Sequence, residues 1–213
     1  MKDKKSVHLM LVLIVVLGLL ILVSGCVPGG ADKSGDTDGT IATEKDTVSE
    51  VSPIPKIGQD QPFYNFYNKV AINQTKAEVA SALGVEPVMD TDSSYTYNDP
   101  ATGFGVNVIY SAGGLVTTKI LMAPVGGGEW IKLSTTTVTE SQVSSIVEGM
   151  TYEEVKSILG GDGLELGAMI YPGSKDAVIY TLMWINPDFS SISVAFDGKT
   201  GKVLMAEFGN APA

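Results

Sequence analysis

The feature that most restricts the fold of this chain is a segment that occurs twice. Residues 75–84, TKAEVASALG, align without a gap on residues 151–160, TYEEVKSILG. Residues 105–116 and 191–203 resemble each other in the same way, with slightly different loop lengths. Self-similarity of this kind is typical of duplicated structural units. We therefore predict a first repeat at residues 62–123, a glycine-rich connector at residues 124–128 and a second repeat at residues 129–213.

Each copy of the repeated segment begins with the residues of a helix N-terminal capping box. Thr75 is followed three residues later by Glu78, and Thr151 is followed likewise by Glu154. In such a box the threonine hydroxyl accepts a hydrogen bond from the first turn, and the glutamate accepts one from the threonine backbone. Glu154 is thus assigned a structural role. Adjacent helical residues point apart, so Glu153 and Glu154 cannot act together as an acid–base pair.

The residues around these helix starts predict two helices in each repeat. Gly84 and Gly160 supply the left-handed conformation that commonly ends a helix. A further helix is predicted before each of these two. In the first repeat it begins near Pro62, and in the second it extends over residues 139–149 with Thr139 at its capping position.

Strand patterns follow the helices in both repeats. Ile192, Val194 and Phe196 alternate with small residues, as in an antiparallel sheet that is covered on one side. Residues 197–202, DGKTGK, are typical of a hairpin turn. The predicted strands are residues 94–98, 104–110, 115–121, 164–170, 177–185, 191–196 and 202–208. The predicted fold class is α+β, with two tandem repeats of helix, helix and antiparallel sheet.

The order of elements and two segments together indicate a family. With GMTYEEVKSILG at residues 149–160 and ISVAFDGKTGKV at residues 192–203, this order resembles the small α+β domain of two protein groups. These are the secreted β-lactamase inhibitory proteins and the outer-membrane assembly lipoproteins of the SmpA/OmlA type. The tandem arrangement is most similar to that of the inhibitory proteins. The resemblance implies two helix-pair units side by side, forming one extended sheet whose open face binds another protein.

The N-terminal residues predict export from the cytoplasm and attachment to a membrane. Lysines precede an apolar run at residues 9–23, which is shorter than the about 20 residues that a membrane span needs. The sequence LVSGC, which ends at Cys26, resembles the lipobox of bacterial lipoproteins and implies cleavage after residue 25. Lipidation of Cys26 would then anchor the chain, and an uncleaved anchor is the alternative. Residues 1–25 are the predicted signal peptide, and residues 26–61 contain the lipidated cysteine and a flexible linker.

Composition excludes several classes of function. The chain has 24 acidic and 14 basic residues, and all the basic ones are lysines, which argues against nucleic acid as a partner. His8 and Cys26 are its only histidine and cysteine. An exported domain that begins after Cys26 therefore lacks Ser-His-Asp and Cys-His nucleophile systems, common zinc sites and internal disulfides. We expect no metal, no cofactor and no enzymatic activity.

Aromatic side chains in the strands are the remaining candidates for function. Tyr180 and Trp184 share one face of their predicted strand, and Tyr95 and Tyr97 share one face of another, where they would serve as anchors for a partner. The same residues could instead pack beneath the helices as core. We expect a lipid-anchored lipoprotein on the extracytoplasmic side of the cell membrane. It would bind or inhibit an extracytoplasmic protein or envelope component through the open face of the sheet.

Two other functions stay open on the sequence alone. A role in envelope assembly or scaffolding follows from the similarity to the assembly lipoproteins. A hydrolase that uses two separated carboxylates is the less favoured alternative, because nothing marks two of the 24 acidic residues as partners.

Overall fold

The computed structural model describes residues 62–124, 136–174 and 177–210. The expected signal peptide, Cys26 and the linker lie outside these ranges, as do residues 125–128 of the expected connector. Within the described ranges, no helix is both long enough and apolar enough to cross a membrane.

Four helices and eight strands make up the described part of the chain, and their order is the same in each half. The helices are α1 (Pro62–Tyr67), α2 (Lys76–Leu83), α3 (Glu140–Val143) and α4 (Tyr152–Leu159). The strands are β1 (Met89–Asp90), β2 (Ser94–Asn98), β3 (Gly105–Tyr110), β4 (Val116–Met122), β5 (Leu164–Ile170), β6 (Val178–Ile185), β7 (Ser191–Asp197) and β8 (Val203–Gly209). In each half, two helices precede four strands.

Helices α2 and α4 begin with the predicted capping boxes. The Thr75 hydroxyl accepts from the Glu78 backbone N–H at 3.3 Å, and the Glu78 carboxylate accepts from the Thr75 N–H at 2.8 Å. Thr151 and Glu154 form the same two bonds, at 3.3 and 2.7 Å. The bonds from the Thr151 N–H and hydroxyl lower the pKa of Glu154. Both capping boxes, and with them the structural role of Glu154, are confirmed.

The C-terminal ends of α2 and α4 are set by glycine. Gly84 and Gly160 have φ angles of 68° and 82°, in the left-handed region that glycine adopts without strain. Their N–H groups donate to the carbonyls of Ala80 and Lys156, at 3.0 and 2.8 Å. Both helices therefore end where the sequence predicts.

Helix α3 is shorter than predicted. It begins after Thr139 as predicted, but it ends at Val143, so its predicted extension to residue 149 is wrong. Two serines follow, and serine side chains compete with a helix for backbone hydrogen bonds. The Ser144 hydroxyl donates to the Ser141 carbonyl at 2.7 Å in this way.

All eight strands form one antiparallel sheet, in which each strand lies beside the next one in sequence. The pair of β4 and β5 joins the two halves, with residues 118–120 opposite residues 167–169. The α+β class and its antiparallel sheet are confirmed. Strand β1, which pairs with β2 through Met89 and Asp90, is not among the predicted strands.

The helices cover one face of the sheet, which we call the core face, and the opposite face is the open face. Phe63 of α1 stacks on Phe104 with ring centroids 4.3 Å apart, and Tyr152 of α4 lies 6.1 Å from Phe196. A continuous row of residues crosses the core face from β1 to β8: Asp90, Tyr95, Val108, Lys119, Ala168, Tyr180, Phe196 and Val203. The hydrophobic core lies between this face and the helices.

Replacing Thr151 with alanine removes the capping hydroxyl and leaves the buried face of α4 unchanged. We expect the free energy of unfolding to fall by about 0.5–2 kcal/mol. Urea titration of this variant beside Ser157→Ala measures the effect, because Ser157 is exposed in the middle of the same helix. Equal stabilities of the two variants would contradict the capping role of Thr151.

Candidate functional site

Three of the four aromatic residues that we expected to bind a partner are buried in the core. Tyr97, Tyr180 and Trp184 are 1%, 3% and 1% exposed. Tyr95 and Tyr97 share one face, as do Tyr180 and Trp184, but in both pairs that face is the core face. The prediction that these residues lie on the open face is therefore wrong.

Trp184 is fixed by a hydrogen bond and by close packing. Its indole N–H donates to the Gly161 carbonyl at 2.8 Å. Its ring lies so close to Gly163 that a Cβ at that position would approach it to 2.6 Å. Glycine is therefore required at residue 163, and Trp184 belongs to the core.

Tyr95 is half-buried near the β1 edge of the core face. Its ring meets the Tyr110 ring edge-on, with centroids 5.5 Å apart. The Nζ of Lys76, the first residue of α2, lies 3.8 Å from its ring centroid. Because these contacts are with the core face and a helix, Tyr95 does not contribute to the open face either.

The core face also contains two buried charged side chains where β4 meets β5. Lys119 is 4% exposed and Glu165 is 0% exposed. Lys119 Nζ donates to the Val70 carbonyl at 2.8 Å and lies 4.4 Å from the Tyr67 ring centroid. The Tyr67 hydroxyl donates to the Glu165 carboxylate at 2.8 Å, and the Tyr64 hydroxyl donates to the Glu165 backbone carbonyl at 3.0 Å. These bonds offset part of the cost of burying charge.

This buried cluster has the residue types of an acid–base site, but its burial favours a structural role. A hydrolase that uses carboxylates needs acids that reach the substrate, and Glu165 is closed off from solvent. Burial and the negative charge of Glu165 both raise the pKa of Tyr64, so its hydroxyl stays protonated as a donor. Among the described residues, no group of three His, Cys, Asp or Glu is placed to hold a metal ion.

The open face carries aliphatic and small polar side chains. One row crosses all eight strands: Met89, Thr96, Asn107, Ile120, Gly167, Thr181, Ala195 and Met205. The neighbouring row consists of Ser94, Ile109, Thr118, Met169, Ile179 and Asp197. Most of these residues are half-exposed, and neither row contains an aromatic side chain.

The open face is uncharged across the described strands β2–β6. Its charged side chains, Asp197 and Glu207, lie on β7 and β8. The chain as a whole has a net charge of −10, whereas the area around Ile120 and Met169 contains no charged side chain. Half-exposed apolar side chains that share one uncharged sheet face make this area a candidate for an interaction site.

Polar side chains at the β2–β3 end of the open face bond to one another. The Asn107 amide donates to the Ser94 hydroxyl at 3.0 Å and to the Thr96 hydroxyl at 2.8 Å. These groups are therefore satisfied within the sheet. The methionine and isoleucine side chains are the part of the face that gains most from being covered, because apolar area contributes about 25 cal/mol per Å² when it leaves water.

The choice of aromatic anchors from the sequence misses Ile120, Met169 and Met205. Their signal is strand alternation. Ile120 follows Lys119 and Met169 follows Ala168, so both fall on the face opposite to the buried row once one strand is assigned to the core. Alternation alone does not say which face the helices cover.

Comparison with known proteins does not assign the chain to a family. No protein-family model matches it, and no curated protein matches it. Among solved structures, it is similar to a DUF4309 family protein, YjgB, from Bacillus subtilis subsp. subtilis str. 168. The two share 14% sequence identity over 68% of this chain and 90% of that chain, with a TM-score of 0.27. A similarity at this TM-score carries no conclusion about fold or function.

Trp184→Ala removes a buried ring together with its hydrogen bond to Gly161. We expect the free energy of unfolding to fall by about 3–5 kcal/mol, as for other buried tryptophans. Thr181→Ala is the matched control, because Thr181 lies on the open face of the same strand. Urea titration compares the two variants, and similar small losses for both would contradict the assignment of Trp184 to the core.

Proposed function

We propose that this chain is a protein-binding module that holds its partner against the open face of the sheet. The observation that carries the proposal is the uncharged, half-exposed area of methionine, isoleucine and threonine side chains around Ile120 and Met169. We call this area the aliphatic patch; it consists of Ile109, Thr118, Ile120, Met169, Thr181 and Met183.

The aliphatic patch suits a protein surface that is itself apolar. Methionine side chains are flexible and polarisable, so Met169 and Met183 can adapt to an irregular partner. The sheet beneath holds their backbone in place, so binding has to order side chains but not the chain itself. An extracytoplasmic protein with an uncharged, largely aliphatic surface is the partner that these features favour.

We propose that the module is held at the outer side of the cell membrane by a lipid on Cys26. Support for this comes from the order of lysines, apolar run and LVSGC in the first 26 residues. A linker of residues 27–61 would let the module search a distance of roughly 30 Å from the bilayer, as expected for a flexible coil of this length.

We also propose that the two halves are tandem repeats of one unit. Both halves contain the threonine–glutamate capping box that precedes a helix ending at glycine. A bulge also falls at the same point in both, where Tyr110 pairs with Val116 and where Phe196 pairs with Val203. Because β-bulges are conserved within protein families, equivalent bulges support a common origin for the two strand pairs.

The binding proposal is tested by placing a photo-reactive amino acid at residue 169 or residue 157 of the anchored protein. Residue 169 lies in the aliphatic patch, whereas Ser157 is exposed on α4, on the other side of the sheet. On irradiation in the native membrane, we expect a defined protein adduct from residue 169 and none from residue 157. Adducts from residue 157 alone would contradict the proposed surface.

A charge in the aliphatic patch should weaken the same interaction. We expect Met169→Lys to reduce capture of the adduct partner by about tenfold or more, since burying an unpaired charge costs more than the 1.4 kcal/mol that corresponds to tenfold. Ser157→Lys adds the same charge elsewhere and should leave capture unchanged. Thermal melts of both variants check that the fold is intact, and undiminished capture by folded Met169→Lys would oppose the proposal.

The anchor is tested by Cys26→Ser, which removes the thiol that would receive the lipid. We expect the variant to lose processing after residue 25 and the mass of the attached lipid. Mass spectrometry of the membrane-bound variant and of the wild-type protein measures both. Residues 1–25 still attached to most of that protein would contradict the lipoprotein proposal.

A further inference from the structure

Strands β4 and β8 are each the last strand of their half. The first residue of each bonds to equivalent loop residues on the edge that faces away from the preceding strand. In both, the first residue exchanges two backbone hydrogen bonds with the loop before a capped helix. The bonds are Asn73 N–H to Val116 O at 2.9 Å, Val116 N–H to Gln74 O at 2.8 Å, Gly149 N–H to Val203 O at 2.9 Å, and Val203 N–H to Met150 O at 2.8 Å. The outer edge of each strand is therefore closed at its first residue.

The rest of the two edges differs. On β4, residues 118–120 are paired with β5. The equivalent residues of β8, counted from Val116 and Val203, are residues 205–207. Strand β8 is the last strand of the sheet, and within the described residues no further strand pairs with this stretch. Residues 118–120 of β4 thus have an antiparallel partner strand, whereas the equivalent residues 205–207 of β8 have none among the described strands.

The bulge and the closed first residue protect only the start of β8, and residues 205–207 beyond them have few of the features that prevent strand pairing. Its sequence, VLMAEFG, contains no lysine and no proline, and Glu207 is its one charged residue. Met205 and Phe208 are half-exposed, on opposite faces of the strand. A stretch of sheet edge with so little protection can pair with another strand.

We infer that two copies of this chain associate through β8, in antiparallel pairing about a two-fold axis at Ala206. In this register Ala206 lies opposite itself, and Met205 lies opposite Glu207 of the second copy. The pairing covers residues 205–207, the same span that β5 covers on β4.

Other two-fold registers are less favourable. An axis at Glu207 would place two carboxylates directly opposite each other, which is destabilising in a sheet. An axis one residue earlier, at Met205, would shift the pairing toward Val203. The backbone groups of Val203 on this edge are already bonded to Gly149 and Met150. Ala206 is thus the centre at which the free edge of one copy complements that of the other. The pairing uses the sheet edge and does not depend on the proposed binding at the aliphatic patch.

Single cysteines test this register, because Cys26 is the only cysteine of the chain. In a full-length Cys26→Ser background in detergent, Ala206→Cys should form a disulfide-linked dimer on mild oxidation. Glu207→Cys is the matched control: its two copies would lie two residues apart along the strand, roughly 8 Å including the strand spacing. That separation exceeds the about 7 Å between Cα atoms that a disulfide tolerates. Ser193→Cys, on the interior strand β7, reports random collision.

Each outcome decides the inference. A dimer of twice the chain mass with Ala206→Cys, and little or none with the other two variants, supports it. Monomers throughout, with the melting curve of the parent protein under reducing conditions, overturn it. Equal or stronger cross-linking of Glu207→Cys overturns the register, and a disulfide from Ala206→Cys to a different protein shows that a foreign strand occupies the edge and overturns the self-pairing.

Discussion

Two charged side chains buried at the middle of the sheet determine how its two halves and their first helix fit together. Lys119 comes from the first half and Glu165 from the second, and both need polar partners inside the core. The Tyr67 hydroxyl at the end of α1 serves Glu165, and the carbonyl of Val70, three residues further on, serves Lys119. A shift of α1 along the sheet would leave charge buried without these bonds, so the cluster fixes the helix to the junction.

The local features of the fold are predictable because their signals lie within a few residues. The threonine–glutamate boxes and the glycines after α2 and α4 bond to their own helix turns, and no distant residue alters them. Helix α3 departs from prediction for an equally local reason, the serines that follow Val143. Seven strands follow from alternation, whereas the two-residue β1 is too short to carry such a pattern.

The candidate site could be predicted only in part, because alternation pairs residues on a face without saying which face is covered. The sequence predicts the strand aromatics as anchors for a partner. In the structure, rings such as Trp184 lie beneath the helices, where they bury the most apolar area. The burial of Lys119 and Glu165 is not predicted from the sequence either. The sequence VTTKILM does not indicate that its lysine is buried. The lysine is covered by α1 and Val70, which are 49 or more residues away in sequence.

The bonds from α1 to Glu165 join parts of the chain that are far apart in sequence. Tyr64 and its acceptor are 101 residues apart in sequence, and Tyr67 and its acceptor are 98 apart. Hairpins and capped helices form from neighbouring residues, but the bonds from α1 to Glu165 require β5 to be in place. Contacts of such long range slow folding, since much of the chain must be ordered before they form. The packing of α1 therefore depends on both halves, although each half has its own helices and hairpins.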